Sequence, residues 1–442
     1  MLVCREQFPY MIGIDNVGCR QIYRASCMER ALMTSKISSK MAMLSVLVLA
    51  AAGATPGRTF GAAFSKVSNK MSHAISATLS GTGFDADDTT MRSTNAAPAS
   101  AQAGVRDGAT SPAHAIHVEG DVEGTHDPSI AKDGDTWYVF GTRTDRATEA
   151  GQLPIRCSKD LRHWKRCGFV FQSIPEWIRR QSPETVDLWA PDVSFFNGRY
   201  HIYYAFSVFG KNTSGIALVT NKTLDPASKD FQWVDEGLVL RSQADDDFNA
   251  IDPNISLDTK GNPWLSFGSF WSGIKMRRID AKSGKLSTSD PTLYSLARRA
   301  RPANPPPPPP NLPADWEAIE APFVVRHGEY YYLFVSFDLC CRGTKSTYRT
   351  MVGRSRSING PYADAAGVPM LHGGGTPLLT SNARWIGPGG ESLLQQPEGD
   401  IIVFHAYDAK TGKPSLQIST IDWSGGWPHA ALEDGGAGTA AH

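Results

Sequence analysis

Asp252-Pro253-Asn254-Ile255, followed nine residues later by Trp264-Leu265-Ser266-Phe267, is the unit whose reading decides the fold. A proline heads a short alternating stretch, a turn follows, and an aromatic-rich stretch returns. Proline is tolerated at the first residue of a strand, where no ladder donor is lost. The same order recurs as Asp127-Pro128-Ser129-Ile130 with Trp137–Phe140, Ala190-Pro191-Asp192-Val193 with Tyr200–Phe206, and Ala321-Pro322-Phe323-Val324 with Tyr330–Phe334. A weaker fifth unit runs from Gly387-Pro388 through Ser392-Leu393-Leu394 to Ile401–Phe404. The prolines at 128, 191, 253, 322 and 388 are separated by 63, 62, 69 and 66 residues. A fixed period of this size signals a repeat architecture. Alternating short strands with no long 3.6-residue periodicity predict an all-β chain. Five units, each with room for four antiparallel strands, predict a five-bladed β-propeller. A β-sandwich with proline-headed strands is the alternative.

A propeller has a functional consequence. The first strand of each blade lines the central channel, so the residues just before the prolines form a ring at one rim. Loops after the second strands return to that rim. Three acids fall in this ring, Asp127, Asp252 and Glu320, from blades one, three and four. An isolated Asp-Pro is commonly only a turn former. Three acids at one place in a repeat, near His126, Trp189 and Trp271, point instead to a catalytic cluster. Paired carboxyls suit glycoside hydrolysis, one protonating the leaving oxygen while the other activates water or attacks directly. A third carboxylate raises the acid's pKa by opposing its ionisation.

Lysine plus arginine and aspartate plus glutamate each total 44, so no net charge favours nucleic acid or an anionic membrane. All 11 tryptophans lie between Trp137 and Trp427, which places the ligand-capable part there. Ahead of it, Lys36 and Lys40, the apolar run Met43–Ala52 and Ala52-Gly53-Ala54 read as a secretory signal. The expected organisation is an extension and signal over 1–54, a Ser/Ala/Thr/Gly-rich flexible linker over 55–114, the propeller over 115–430 and a disordered tail over 431–442. Residues 1–32 have no physical account. The mature chain is expected to be secreted, extracellular or periplasmic, with no membrane span.

Seven cysteines are present, four of them in the propeller. Cys157 and Cys167 flank a segment that would form a hairpin, compatible with a disulfide or with two buried thiols. Cys340 and Cys341 are adjacent in the rim loop of blade four, and their redox state is not legible from the sequence.

Several motifs together resemble the endo-1,5-α-L-arabinanases of glycoside hydrolase family 43. They are Thr125-His126-Asp127-Pro128, Trp189-Ala190-Pro191-Asp192, Asn249-Ala250-Ile251-Asp252-Pro253, Ser269-Phe270-Trp271-Ser272-Gly273, Ile319-Glu320-Ala321-Pro322, Cys340-Cys341-Arg342-Gly343 and His405-Ala406-Tyr407-Asp408. The resemblance implies a five-bladed propeller that cleaves internal links of plant cell-wall arabinan with inversion, and the chain is expected to be a monomer. It assigns Asp127 as general base, Glu320 as general acid and Asp252 as the group that tunes and orients the acid. It also implies a calcium ion held mid-channel by His405, with water supplying most of the coordination. Read by itself, His405 is a hydrogen-bonded core histidine, because calcium prefers oxygen. The sugar groove is assigned to His126, Trp189, Ser214, Gly215, Asn249, Ala250, Ile251, Ser269, Phe270 and Trp271.

Six consecutive prolines, Pro305–Pro310, interrupt the connection leading to Glu320. Such a run forms a stiff, extended helix without internal hydrogen bonds. It is expected to arch into solvent, with a narrowed groove, a shift from endo toward exo action, or a partner-binding role as the alternatives. Exo-acting arabinofuranosidases or xylosidases of the same fold, fructan-cleaving propellers and non-catalytic sugar-binding propellers are the competing functions.

Overall fold

Each repeat folds as one antiparallel sheet, with its proline-headed stretch innermost. The computed structural model describes residues 112–147, 149–309 and 312–434. The expected signal, nearly all of the linker and the end of the tail lie outside them. Blade one comprises β3 (His126–Asp133), β4 (Thr136–Thr142), β5 (Gln152–Ser158) and β6 (His163–Phe171). Blade two is β7 (Leu188–Phe196), β8 (Arg199–Phe206), β9 (Gly215–Asn221) and β10 (Val234–Arg241). Blade three is β11 (Asn254–Leu257), β12 (Pro263–Phe267), β13 (Ile274–Arg278) and β14 (Tyr294–Ala297). Blade four is β15 (Ile319–His327), β16 (Tyr330–Phe337), β17 (Arg349–Ser355) and β18 (Thr376–Leu379). Blade five takes β19 (Trp385–Leu394), β20 (Ile401–Asp408) and β21 (Pro414–Thr420) from the end of the repeat array. Its outermost strand is β1 (Ala115–Ile116), with Ala115 opposite Ser419. The two ends of the propeller therefore share one sheet, and β2 (Glu119–Gly120) then runs parallel beside β6 of blade one.

The aromatic return strands are apolar on both faces because each is packed between two blades. In β4, Tyr138 and Phe140 join the core between blades one and two, whereas Val139 joins the core between blades five and one. In β20, Ile402 and Phe404 face blade four, and Ile401 and Val403 face blade one. Five apolar clusters result, one at each blade interface.

Side chains near the channel lace neighbouring blades together. Ser129 Oγ accepts the Val193 N–H (2.9 Å), an Asp192 carboxylate oxygen accepts the Ile255 N–H (2.9 Å), and Asn254 Oδ1 accepts the Val324 N–H (2.8 Å). Ser336 Oγ accepts the Gly390 N–H (2.9 Å) between blades four and five, and Ser392 Oγ accepts the Ile130 N–H (3.2 Å) and closes the circle between blades five and one. Each donor would otherwise be a buried, unpaired amide.

This lacing corrects the register of the fifth repeat. Ser392 pairs with Val403 as Ser129 pairs with Phe140, so blade five carries Glu391, not Pro388, where the other four carry proline. The last step is then 69 residues, from Pro322 to Glu391.

Candidate active site

The inner strands of blades one, two, four and five have a bulge at the rim. In blade one, His126 pairs with Thr142 and Ser129 with Phe140, so two residues, Asp127 and Pro128, oppose one. A bulge of this kind bends the strand and re-aims a side chain. The residue before each repeat proline is left-handed: φ is 47° at Asp127, 43° at Ala190, 54° at Asp252 and 51° at Ala321. Gly390 holds the position in blade five with φ of 61°. Asp127 and Asp252 thus share one left-handed position, just before the repeat proline, on blades one and three. Glu320 lies one residue earlier, on the regular ladder opposite Ser336, so the three acids are not at a single register.

The structure brings all three carboxyls to a cleft of about 350 Å³. Thr142 Oγ1 donates to Asp127 Oδ2 (2.6 Å) and accepts the Ala190 N–H (2.8 Å). His126 Nδ1 lies 2.9 Å from Asp127 Oδ1. Asp252 Oδ2 accepts the Ala321 N–H (3.1 Å). Glu320 is held from both sides, by Ser269 Oγ on Oε2 (2.6 Å) and by the Tyr348 hydroxyl on Oε1 (2.8 Å).

These surroundings push the carboxyls apart. Burial alone would raise Asp127, but the adjacent His126 and the Thr142 hydrogen bond outweigh it and hold Asp127 well below the usual range. Burial likewise opposes charge on His126, yet Asp127 and Tyr407 raise the imidazole to about 10. Burial raises Glu320, tempered by its hydrogen bonds from Ser269 and Tyr348, and the Asp127 charge adds to the rise. Asp252 is raised well above the carboxylate range by burial and then by the charges of Glu320 and Asp127. One carboxylate stays ionised while two others favour the proton, the division that acid–base chemistry needs.

Of the other residues assigned to the groove, His126, Trp189, Asn249, Ile251, Ser269, Phe270 and Trp271 line the cleft. Ser214, Gly215 and Ala250 do not. Ser214 is fully buried and bonded to Ser207 Oγ (2.6 Å), Ala250 is fully buried, and Gly215 is packed on the Phe206 ring. They sit in the layer beneath the groove, packed under the rim loops. Tyr348, Thr142 and the exposed Phe209 also line the cleft and were not singled out from the sequence. Only the acids to which Tyr348 and Thr142 donate could have pointed to them. Leu312 and Pro313, just past the proline run, line the cleft too, so this end of the insertion is not a solvent arch. Cysteines pair as Cys157–Cys167 and Cys340–Cys341.

His405 is fully buried, stacked on His126 at 3.7 Å, and its Nδ1 accepts the Asp127 N–H (3.2 Å). Its Nε2 is buried with no protein partner. One ligand atom each from His126, Asp127 and His405 lies within 4.8 Å of the others. The set holds a single carboxylate, so a calcium ion would draw most of its oxygens from water. With Nδ1 accepting, Nε2 carries the ring proton and would reach the ion through water. The residues fit an ion bound in that way.

An axial channel that opens into an aromatic-walled cleft, with three buried carboxyls converging from separate blades, defines a propeller of the glycosidase class. The model of the glycosyl hydrolases family 43 matches residues 122–428, and the chain belongs to that family. It is 42% identical over 321 residues to the extracellular endo-alpha-(1->5)-L-arabinanase 1 of Bacillus subtilis, covering 72% of this chain and 91% of that one. It is 41% identical over 307 residues to the extracellular exo-alpha-(1->5)-L-arabinofuranosidase ArbA of Cellvibrio japonicus, covering 69% and 85%. Among solved structures, the GH43 endo-arabinanase from Bacillus licheniformis superposes with a TM-score of 0.62 at 44% identity, covering 71% of this chain and 99% of that one.

Proposed function

We propose that this protein is a secreted endo-acting arabinanase that hydrolyses internal α-1,5 links of arabinan with inversion. The observation that carries the reading is the convergence of Asp127, Asp252 and Glu320 on one cleft, with one carboxyl held ionised and two raised. Asp127 accepts a proton from the attacking water. Glu320 donates its proton to the departing sugar oxygen. Asp252 keeps Glu320 protonated by opposing a second charge beside it. Inversion requires roughly 6.5–9.5 Å between base and acid carboxyls, room for the water. Trp189, Phe270 and Trp271 offer apolar faces to the sugar rings. A calcium ion, when bound near His405, would fix the charge balance around Asp127, with His126, Asp127 and His405 around it. Export is supported by two disulfides, which persist in oxidising compartments, and by the extracellular names of the relatives.

A second reading is exo action on the same polymer, favoured by Leu312 and Pro313, which add a wall to the cleft. Timed digestion of linear arabinan with product sizing separates the two. Mixed oligosaccharides as the first products support endo cleavage. Release of one product size from the outset supports the exo reading, and no hydrolysis of any arabinan would leave a sugar-binding propeller.

A further inference from the structure

The loop after β16 carries two adjacent cysteines to which the proposed chemistry gives no role. Cys340 and Cys341 are bonded to each other, closing a small ring that includes the peptide between them. Both line the cleft, and Cys341 has a left-handed φ of 66°. A residue with a β-carbon costs about 1–2 kcal/mol in that conformation, so an unbridged pair would tend to leave it. The ring removes that freedom.

What the turn presents is a backbone donor. The Cys341 N–H donates to the Tyr407 hydroxyl oxygen at 2.9 Å. That oxygen lies 2.8 Å from His126 Nε2, and His126 Nδ1 lies 2.9 Å from Asp127 Oδ1. Three contacts therefore lead from the disulfide to the carboxylate, and Cys341 Sγ itself lies 3.8 Å from His126 Nε2, so both routes meet at that imidazole. Tyr407 is buried and His126 is stacked on the buried His405, so neither ring has room to take up slack.

We propose that the Cys340–Cys341 disulfide is a positioning element for the base, holding the Cys341 amide against Tyr407 and thereby fixing His126 and Asp127. The inference rests on the reading of Asp127 as the base. Catalytic groups are sensitive to small displacement, since misplacement by about 1 Å can cost on the order of a hundredfold in rate. A positioning role acts on kcat, whereas a disulfide that merely touches sugar acts on KM.

Steady-state kinetics on linear arabinan, with melting temperatures, test this on wild type, C340S/C341S, Tyr407→Phe, the combination of these, and C157S/C167S. The expected result is a fall in kcat of about tenfold or more for C340S/C341S, with KM within about twofold and melting close to wild type. Tyr407→Phe falls comparably, and the combination falls no further than the worse of the two, because both interrupt one chain of contacts. C157S/C167S keeps wild-type kcat. If C340S/C341S does not fold, folded C157S/C167S is treated with a trialkylphosphine. The remaining disulfide gains two electrons and two protons, water supplies the oxygen of the phosphine oxide, and kcat falls by the same factor. Unchanged kcat after loss or reduction of the pair, a change in KM alone, or additive losses with Tyr407→Phe would overturn the proposal. Equal turnover by wild type and Asp127→Asn would instead overturn the reading of the base.

Discussion

Gly390 and Asp127 occupy the same bulge position of adjacent blades, and a β-carbon on Gly390 would stand 2.9 Å from Asp127 Oδ1 and 2.9 Å from His405 Nδ1. Blade five bears at this position the residue that gives the acid of blade one its room. Gly390→Ala is therefore expected to do two things. It strains a backbone at φ of 61°, costing about 1–2 kcal/mol of stability, and it displaces Asp127, lowering kcat by at least tenfold. Thermal unfolding and kcat on arabinan check both, and a variant as active as wild type would show that Asp127 is not confined there.

Tyr348→Phe removes a donor to Glu320. That hydrogen bond stabilises the ionised carboxylate and so tempers the rise caused by burial. Its loss raises the acid further. The acid must be protonated to work, so activity falls as pH rises through its pKa, and the variant's alkaline limb moves to higher pH. A hydrogen bond to a charged group is worth about 1.5–3 kcal/mol, or about one to two pH units. The profile of kcat/KM against pH reads the displacement directly, and a limb that stays put or moves down would remove Glu320 from the acid's role.

Glu391 stands where four blades have proline, and burial raises its carboxyl from 4.5 to about 7, despite hydrogen bonds from Ser336 and Thr350. The folded chain binds more protons than the unfolded chain between these values, so stability falls as pH rises from about 4.5 to about 7 and does not return above it. Glu391→Gln cancels this slope, worth on the order of 2–3 kcal/mol. Urea unfolding at pH 5 and pH 8 is expected to show the variant gaining on wild type at the higher value. Parallel curves at both would mean that Glu391 ionises freely in the fold.

The four true repeat prolines were readable because each follows a left-handed residue at the head of its inner strand. Blade five was misread for a physical reason: Glu391 replaces the proline, and Pro388 lies three residues upstream as a decoy. The acids on blades one and three were visible from that same register, whereas Glu320 falls one residue ahead of it. Tyr348 and Thr142 reach the carboxyls from the approach to β17 and from β4, so only tertiary packing shows them. Ser214, Gly215 and Ala250 sit at the right rim but face the wrong layer, a distinction that nearness in sequence does not carry.

Chelation tests the metal. If calcium sits near His405, removing it with a chelator is expected to lower activity or the melting temperature, and adding calcium back restores both. Differential scanning calorimetry with and without the chelator is sufficient, and identical traces with identical activity would leave His405 as a buried hydrogen-bonded ring.

In the proposed reaction Asp127 activates water on one face of the scissile sugar while Glu320 protonates the leaving oxygen on the other. Proton NMR during the first minutes of arabinan cleavage, before the products mutarotate, measures this most directly. New reducing ends with the anomeric configuration opposite to that of the cleaved link are the expected result; retained configuration would contradict it, because it would require a carboxylate to attack the sugar itself.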